Sequence, residues 1–202
     1  MKNIVIVIQI IFLVSCASKS EILTENGKIK DGTFYCDKFD WNIDIPEGYT
    51  VTNLQAKEDL EELGYDAMKT EVPEGYEIRE NRPHLIGFEL DEFNSFSSSL
   101  EPFESNKMSM EEHQKFVSSL LKNTYDKLEG VKFEQELSTE NIGQRRFYIV
   151  KVKLFKQKTD ELVFTQVLFD TKIGTDLFSS SIDYTSEEVF EVLYNNFKKS
   201  LN

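Results

Sequence analysis

Cysteine is scarce in this chain, two residues in 202, so neither a disulfide framework nor a thiolate cluster can be built from it. Histidine is as rare. His84 and His113 are far apart in sequence, with no second His or Cys at ligand spacing from either, whereas zinc sites draw several such side chains together. No metal and no cofactor is expected. Basic residues are outnumbered, 23 Lys and Arg against 36 Asp and Glu, for a formal charge of -13. A polyphosphate partner needs the opposite excess to displace its counterions, so nucleic acid is not an expected partner. Glycine is thin too, nine residues and no Gly-rich phosphate loop. Nor is there an apolar run long enough for a membrane span. The longest, Ile4 to Val14, is eleven residues interrupted by Gln9, about half of the roughly twenty that a bilayer core requires. What the chain does hold is 40% hydrophobic and 12% aromatic residues, enough to fill one interior and to argue against disorder.

That short apolar run follows Lys2, and the pair reads as the positive and hydrophobic regions of an export signal. Leu13-Val14-Ser15-Cys16 comes next: an aliphatic residue, a small residue and a Cys. This resembles a bacterial lipobox, cut by a lipoprotein signal peptidase. The resemblance implies that residues 1–15 are removed and that Cys16 becomes the lipidated N-terminus, holding the protein to a membrane by its acyl chains. Cleavage removes one Lys and no acid, so 22 basic residues face 36 acidic ones and the charge becomes -14. Such an acidic chain gains nothing from anionic headgroups, and the acyl chains are expected to carry membrane attachment alone. The expected location is the bacterial cell envelope, at the periplasmic face of the outer membrane. Cys36 is then the remaining thiol, read as a small apolar filler in a strand.

Residues 16–31 are polar with few large apolar groups and read as the lipidated N-terminus and a flexible tether, ahead of a single domain at 32–202. Phe39, Trp41, Ile43 and Ile45 alternate with polar residues, the period of a half-buried strand, and Pro46-Glu47-Gly48-Tyr49 ends it as a turn. A solvent-facing helix is predicted over 55–71, and Pro73-Glu74-Gly75-Tyr76 reads as a second turn. His84 to Leu90 reads as a strand and 91–106 as a long irregular connection. Ser109 and Glu112 form a capping box opening a helix that carries Val117, Leu120, Leu121, Thr124 and Leu128 and closes at Gly130. Strands are predicted at 131–137, 146–155, 162–171 and 176–183, with links short enough for an antiparallel meander. A second capping box at Thr185 and Glu188 opens a final helix docked by Phe190, Leu193, Phe197 and Leu201.

The expected fold class is α+β, an antiparallel sheet covered by helices on one or both faces. This order of elements, with the turn motif at Ile45-Pro46-Glu47-Gly48-Tyr49, resembles the PsbP-like α/β/α sandwich from Thr33 to the end of the chain. That family includes photosystem II extrinsic subunits, a Ran-binding import factor and small bacterial envelope lipoproteins, and its known members act mainly by docking to other proteins.

Constellations for chemistry are missing or have simpler explanations. The serines at 95–99 and 179–181 sit in no Gly-x-Ser-x-Gly elbow and read as loop and strand-face polarity, and the two histidines as ordinary surface or boundary residues. Asp40, Asn42 and Asp44 imitate the start of a calcium loop, but Ile45 occupies its Gly position and Val51 its Glu position. Two functions stay in view. The leading one is a non-enzymatic lipoprotein whose domain docks an envelope protein or a small ligand, using Phe93, Phe96 and Phe103 in the 91–106 connection. The other is a hydrolase or lipid-handling enzyme whose serine and carboxylate meet only in the fold.

Overall fold

From Val131 onward the chain runs strand, tight turn, strand, and each turn is short enough that consecutive strands must pair antiparallel. The computed structural model describes residues 22–24, 26–52 and 84–202. In it β8 (Val131–Ile142), β9 (Arg145–Lys156), β10 (Leu162–Ile173) and β11 (Asp176–Tyr184) form that meander. The sheet continues through β7 (Asn94–Pro102), β6 (His84–Asp91) and the short β5 (Thr50–Val51), giving a seven-stranded order β5-β6-β7-β11-β10-β9-β8. A second, four-stranded sheet contains β1 (Ile22–Thr24), β2 (Gly27–Lys30), β3 (Thr33–Cys36) and β4 (Asn42–Asp44). Helix α1 (Met110–Tyr125) lies across β8, β9 and β10, while α2 (Glu187–Ser200) packs on β11 and β4. The large sheet thus has a helix on each face, one of the two arrangements expected for this α+β fold.

The two faces differ. One carries Phe96, Phe147, Phe169, Phe178 and Ile182, closed over by Leu193 and Phe197 of α2 and by Ile29, Phe34, Trp41 and Ile43 of the small sheet. The other presents Val150, Val152 and Leu154 to Val117, Leu121 and Tyr125 of α1. Alternation along the strands sorts these residues, since successive side chains point to opposite faces.

Four expectations are corrected. Residues 22–24 and 26–31 are not tether: they hold β1, β2 and the turn into β3, with Ile29 in the core. The turn Asp31-Gly32 has φ of 55° and 80°, the left-handed pair of a two-residue hairpin, and an Asp-Gly pair is a direct sign of one. The connection at 91–106 is mostly β7, an interior strand between β6 and β11. Serine has weak strand preference, and here ladder pairing on both sides outweighs composition. The final helix is capped by Ser186, whose hydroxyl accepts from the Val189 amide, because Thr185 bonds Asn94 instead. Finally α1 stops at Tyr125, and Leu128 is left exposed beyond it.

The capping box at Ser109 and Glu112 is present with both reciprocal bonds. The Phe39–Ile45 alternation holds in burial although turn residues 37–41 interrupt the ladder. The helix expected at 55–71 and the turn at 73–76 lie outside the described residues. Among those that are described, no helix is long and apolar enough to cross a membrane.

Candidate functional site

The three phenylalanines expected to present a docking surface are separated by the strand they belong to. Phe96 points to the aromatic face of the sheet, is fully buried, and stacks on Phe88 at 4.9 Å between ring centres. It is removed from the docking set, because a strand interior alternates and position 96 falls inward. Phe93 and Phe103 flank β7, both half-buried; Phe93 stacks on Phe164, and Phe103 meets the His113 ring edge-on at 5.7 Å.

Alternate serines line the opposite face. Register aligns Ser95, Ser97 and Ser99 of β7 with Asp183, Ser181 and Ser179 of β11, so hydroxyls and a carboxylate run in two adjacent rows. Ser95 and Ser181 each donate to Asp183, at 3.3 Å. Nearby the Tyr125 hydroxyl donates to Gln166, and burial, with a smaller contribution from Asp183, pushes its pKa up to about 12.

His113 is not a surface histidine. It is 3% exposed, and its Nε2 lies 3.3 Å from an Asp170 carboxylate oxygen that is equally enclosed. Nδ1 is buried without a hydrogen-bond partner, so among the described residues no serine hydroxyl bonds this imidazole as a triad nucleophile would. Sequence reasoning missed the pair because its members are 57 positions apart and joined only by α1 crossing β10. His84 sits at the start of β6, where its carbonyl accepts from the Asn26 amide. Among the described residues no three His, Cys, Asp or Glu side chains gather as a metal site would require.

Elsewhere among the described residues lies a cleft of about 670 Å³, at the end of the meander. Its walls come from three places: Phe39, Asp40 and Trp41 before β4; Gly143, Gln144 and Arg145 in the β8–β9 turn; and Ser200, Leu201 and Asn202 after α2. Trp41 forms the aromatic wall, stacked on Phe39 at 5.8 Å with planes 7° apart and held from behind by Phe178. Its indole N–H donates to Ser200 Oγ at 3.0 Å, and that hydroxyl donates to the Phe197 carbonyl. The one serine in the cleft is therefore committed in both directions, as a brace for the tryptophan. Gly143 is needed for two reasons. Its φ is 58°, and a Cβ there would stand 2.5 Å from the Leu201 carbonyl oxygen. Two chain segments can approach this closely only through a residue with no side chain. The sequence signal for this corner was the Gly between two apolar-alternating runs, which also marks the turn the strand predictions left open at 138–145.

No protein family matches the chain, and no curated protein does. Among solved structures it is similar to cyanobacterial PsbP (CyanoP) from Synechocystis sp. PCC 6803, with a TM-score of 0.53 and 9% sequence identity, covering 83% of this chain and 89% of that one. The fold is PsbP-like, as the order of elements implied. At that identity the likeness concerns architecture, and no binding residue is transferred by it.

Proposed function

We propose that this chain is a lipid-anchored lipoprotein of the bacterial envelope whose domain docks a partner protein or small ligand in the Trp41 cleft. The observation that carries the docking half is that cleft: the half-buried Phe39 ring, stacked on the buried and braced Trp41, beside the side chains of Asp40, Gln144 and Arg145. A partly exposed ring held by a fixed neighbour next to polar groups suits recognition, because it loses little entropy when a partner covers it. The anchoring half is supported by Lys2, the Ile4–Val14 run and Cys16 in register.

Site-specific photocrosslinking in native envelopes tests the reading. A photoreactive residue at Gln144, in the cleft, is expected to give a discrete adduct that one at Lys158, in the exposed β9–β10 turn, does not. A hydrolase panel supplies the opposing result: activity of the purified chain that disappears on one Ser or Asp substitution would replace docking with catalysis.

A further inference from the structure

The small sheet has an inner and an outer face, and register assigns its residues without ambiguity. Ile29, Phe34 and Ile43 are Cα partners across β2, β3 and β4, and all three are buried. The next row, Leu23, Lys28, Tyr35 and Asn42, must then point outward. Leu23 is 78% exposed and Tyr35 41%, the former among the most exposed large apolar side chains described. Lys30 lies on the same outer face, paired with Thr33. Among the described residues of these strands one acid is present there too, Asp44, which accepts a bond from the Thr33 hydroxyl.

An outward leucine on an edge strand is a liability unless something covers it. The position of this one in the chain says what does. Leu23 is the seventh residue after Cys16, and seven residues span at most about 25 Å even when fully extended. If Cys16 carries the lipid, Leu23 cannot leave the neighbourhood of the bilayer surface. The groups beside it match an interface: a leucine for the acyl boundary and a tyrosine for the headgroup level.

We propose that the outer face of the small sheet rests on the lipid surface, with Leu23 seated at the acyl boundary, and so fixes the orientation of the domain on its membrane. The proposal rests on the lipid-anchor reading, and the experiment separates the two. The acylated full-length product is reconstituted into vesicles of phosphatidylethanolamine and phosphatidylglycerol with brominated acyl chains, which quench tryptophan only at short range. Trp41 is buried and gives a constant background in the wild type. Leu23→Trp is expected to add a strongly quenched emission. Leu128→Trp, on an exposed site after α1, is expected to add an unquenched one. If the protein sediments with the vesicles but the emission at position 23 is unquenched, the orientation is wrong and the anchor stands. Blue-shifted, unquenched emission there would mean a protein covers the leucine, which also overturns the proposal. If nothing sediments and intact mass shows no acyl chain, the anchor fails and this inference falls with it.

Discussion

The two faces of the large sheet are built on different principles. The face under α2 is closed by rings: Phe197 alone meets Phe96, Phe147, Phe169 and Phe178, which belong to β7, β9, β10 and β11, with centroid distances of 5.2 to 6.5 Å. The face under α1 is fastened by hydrogen bonds around a small apolar patch. The Gln114 amide donates to the carbonyls of Ser138 and Ile149 at 2.8 Å, Gln135 donates to the Ser118 carbonyl, and His113 pairs with Asp170. Burial of apolar area is proportional and forgiving, whereas a buried polar contact is all or none. Substitutions should therefore fail gradually with size on the α2 face and abruptly with chemistry on the α1 face.

The contrast breaks most visibly at Phe197. Phe197→Ala removes the ring shared by four strands and should cost about 3–5 kcal/mol, read as a fall in the urea midpoint. Gln114→Leu keeps the volume but strands two carbonyls, and should cost about 1–3 kcal/mol, whereas a size-conserving swap at Leu193 on the other face should cost less than about 1.5 kcal/mol. Equal losses at Gln114 and Leu193 would erase the distinction. Gly143→Ala should destabilise by more than about 1 kcal/mol, because the methyl meets the Leu201 carbonyl and the backbone is left-handed, and it should loosen the Trp41 cleft, seen as a red shift in Trp41 emission.

Smaller effects come from titration. Tyr125 holds its proton in the folded chain up to about 12, against 10.0 for an ordinary tyrosine. The unfolded chain gives up that proton first, so stability is intact below about pH 10 and declines as pH rises from there toward 12. Tyr125→Phe should flatten that alkaline decline in urea midpoints. At the acid end Glu112 is held below its usual range, first by the Ser109 amide and then by the Ser109 hydroxyl. Its contribution is present above the ordinary carboxylate range and is lost as pH falls. Ser109→Ala should lower stability by about 1 kcal/mol near neutrality and reduce that acid dependence, measured by thermal melts across pH.

Much of this architecture was legible because it obeys local rules. The four meander strands, the mid-chain and C-terminal helices and the inward set Phe39, Trp41, Ile43 follow from periodicity and capping, which act over a few residues. What was hidden depends on pairing between distant segments. Phe96 reads as a loop aromatic until β6 and β11 flank it, and Ile29 reads as a lone apolar residue in a tether until β3 pairs with it. The site was less legible still. Trp41 was visible as a core residue, but its cleft exists only because the chain's last residues pass the β8–β9 turn at Gly143. Likewise His113 and Asp170 carry no joint signal in sequence, since a helix crossing a strand leaves no spacing rule.

Everything said of membrane and envelope depends on the sulfur of Cys16. Metabolic labelling with an alkyne fatty acid in an expressing bacterium is the direct measurement. A labelled band of the mature size for the wild type, absent in Cys16→Ala, is the predicted result; a wild-type chain that is exported, cleaved and carries no label would contradict it.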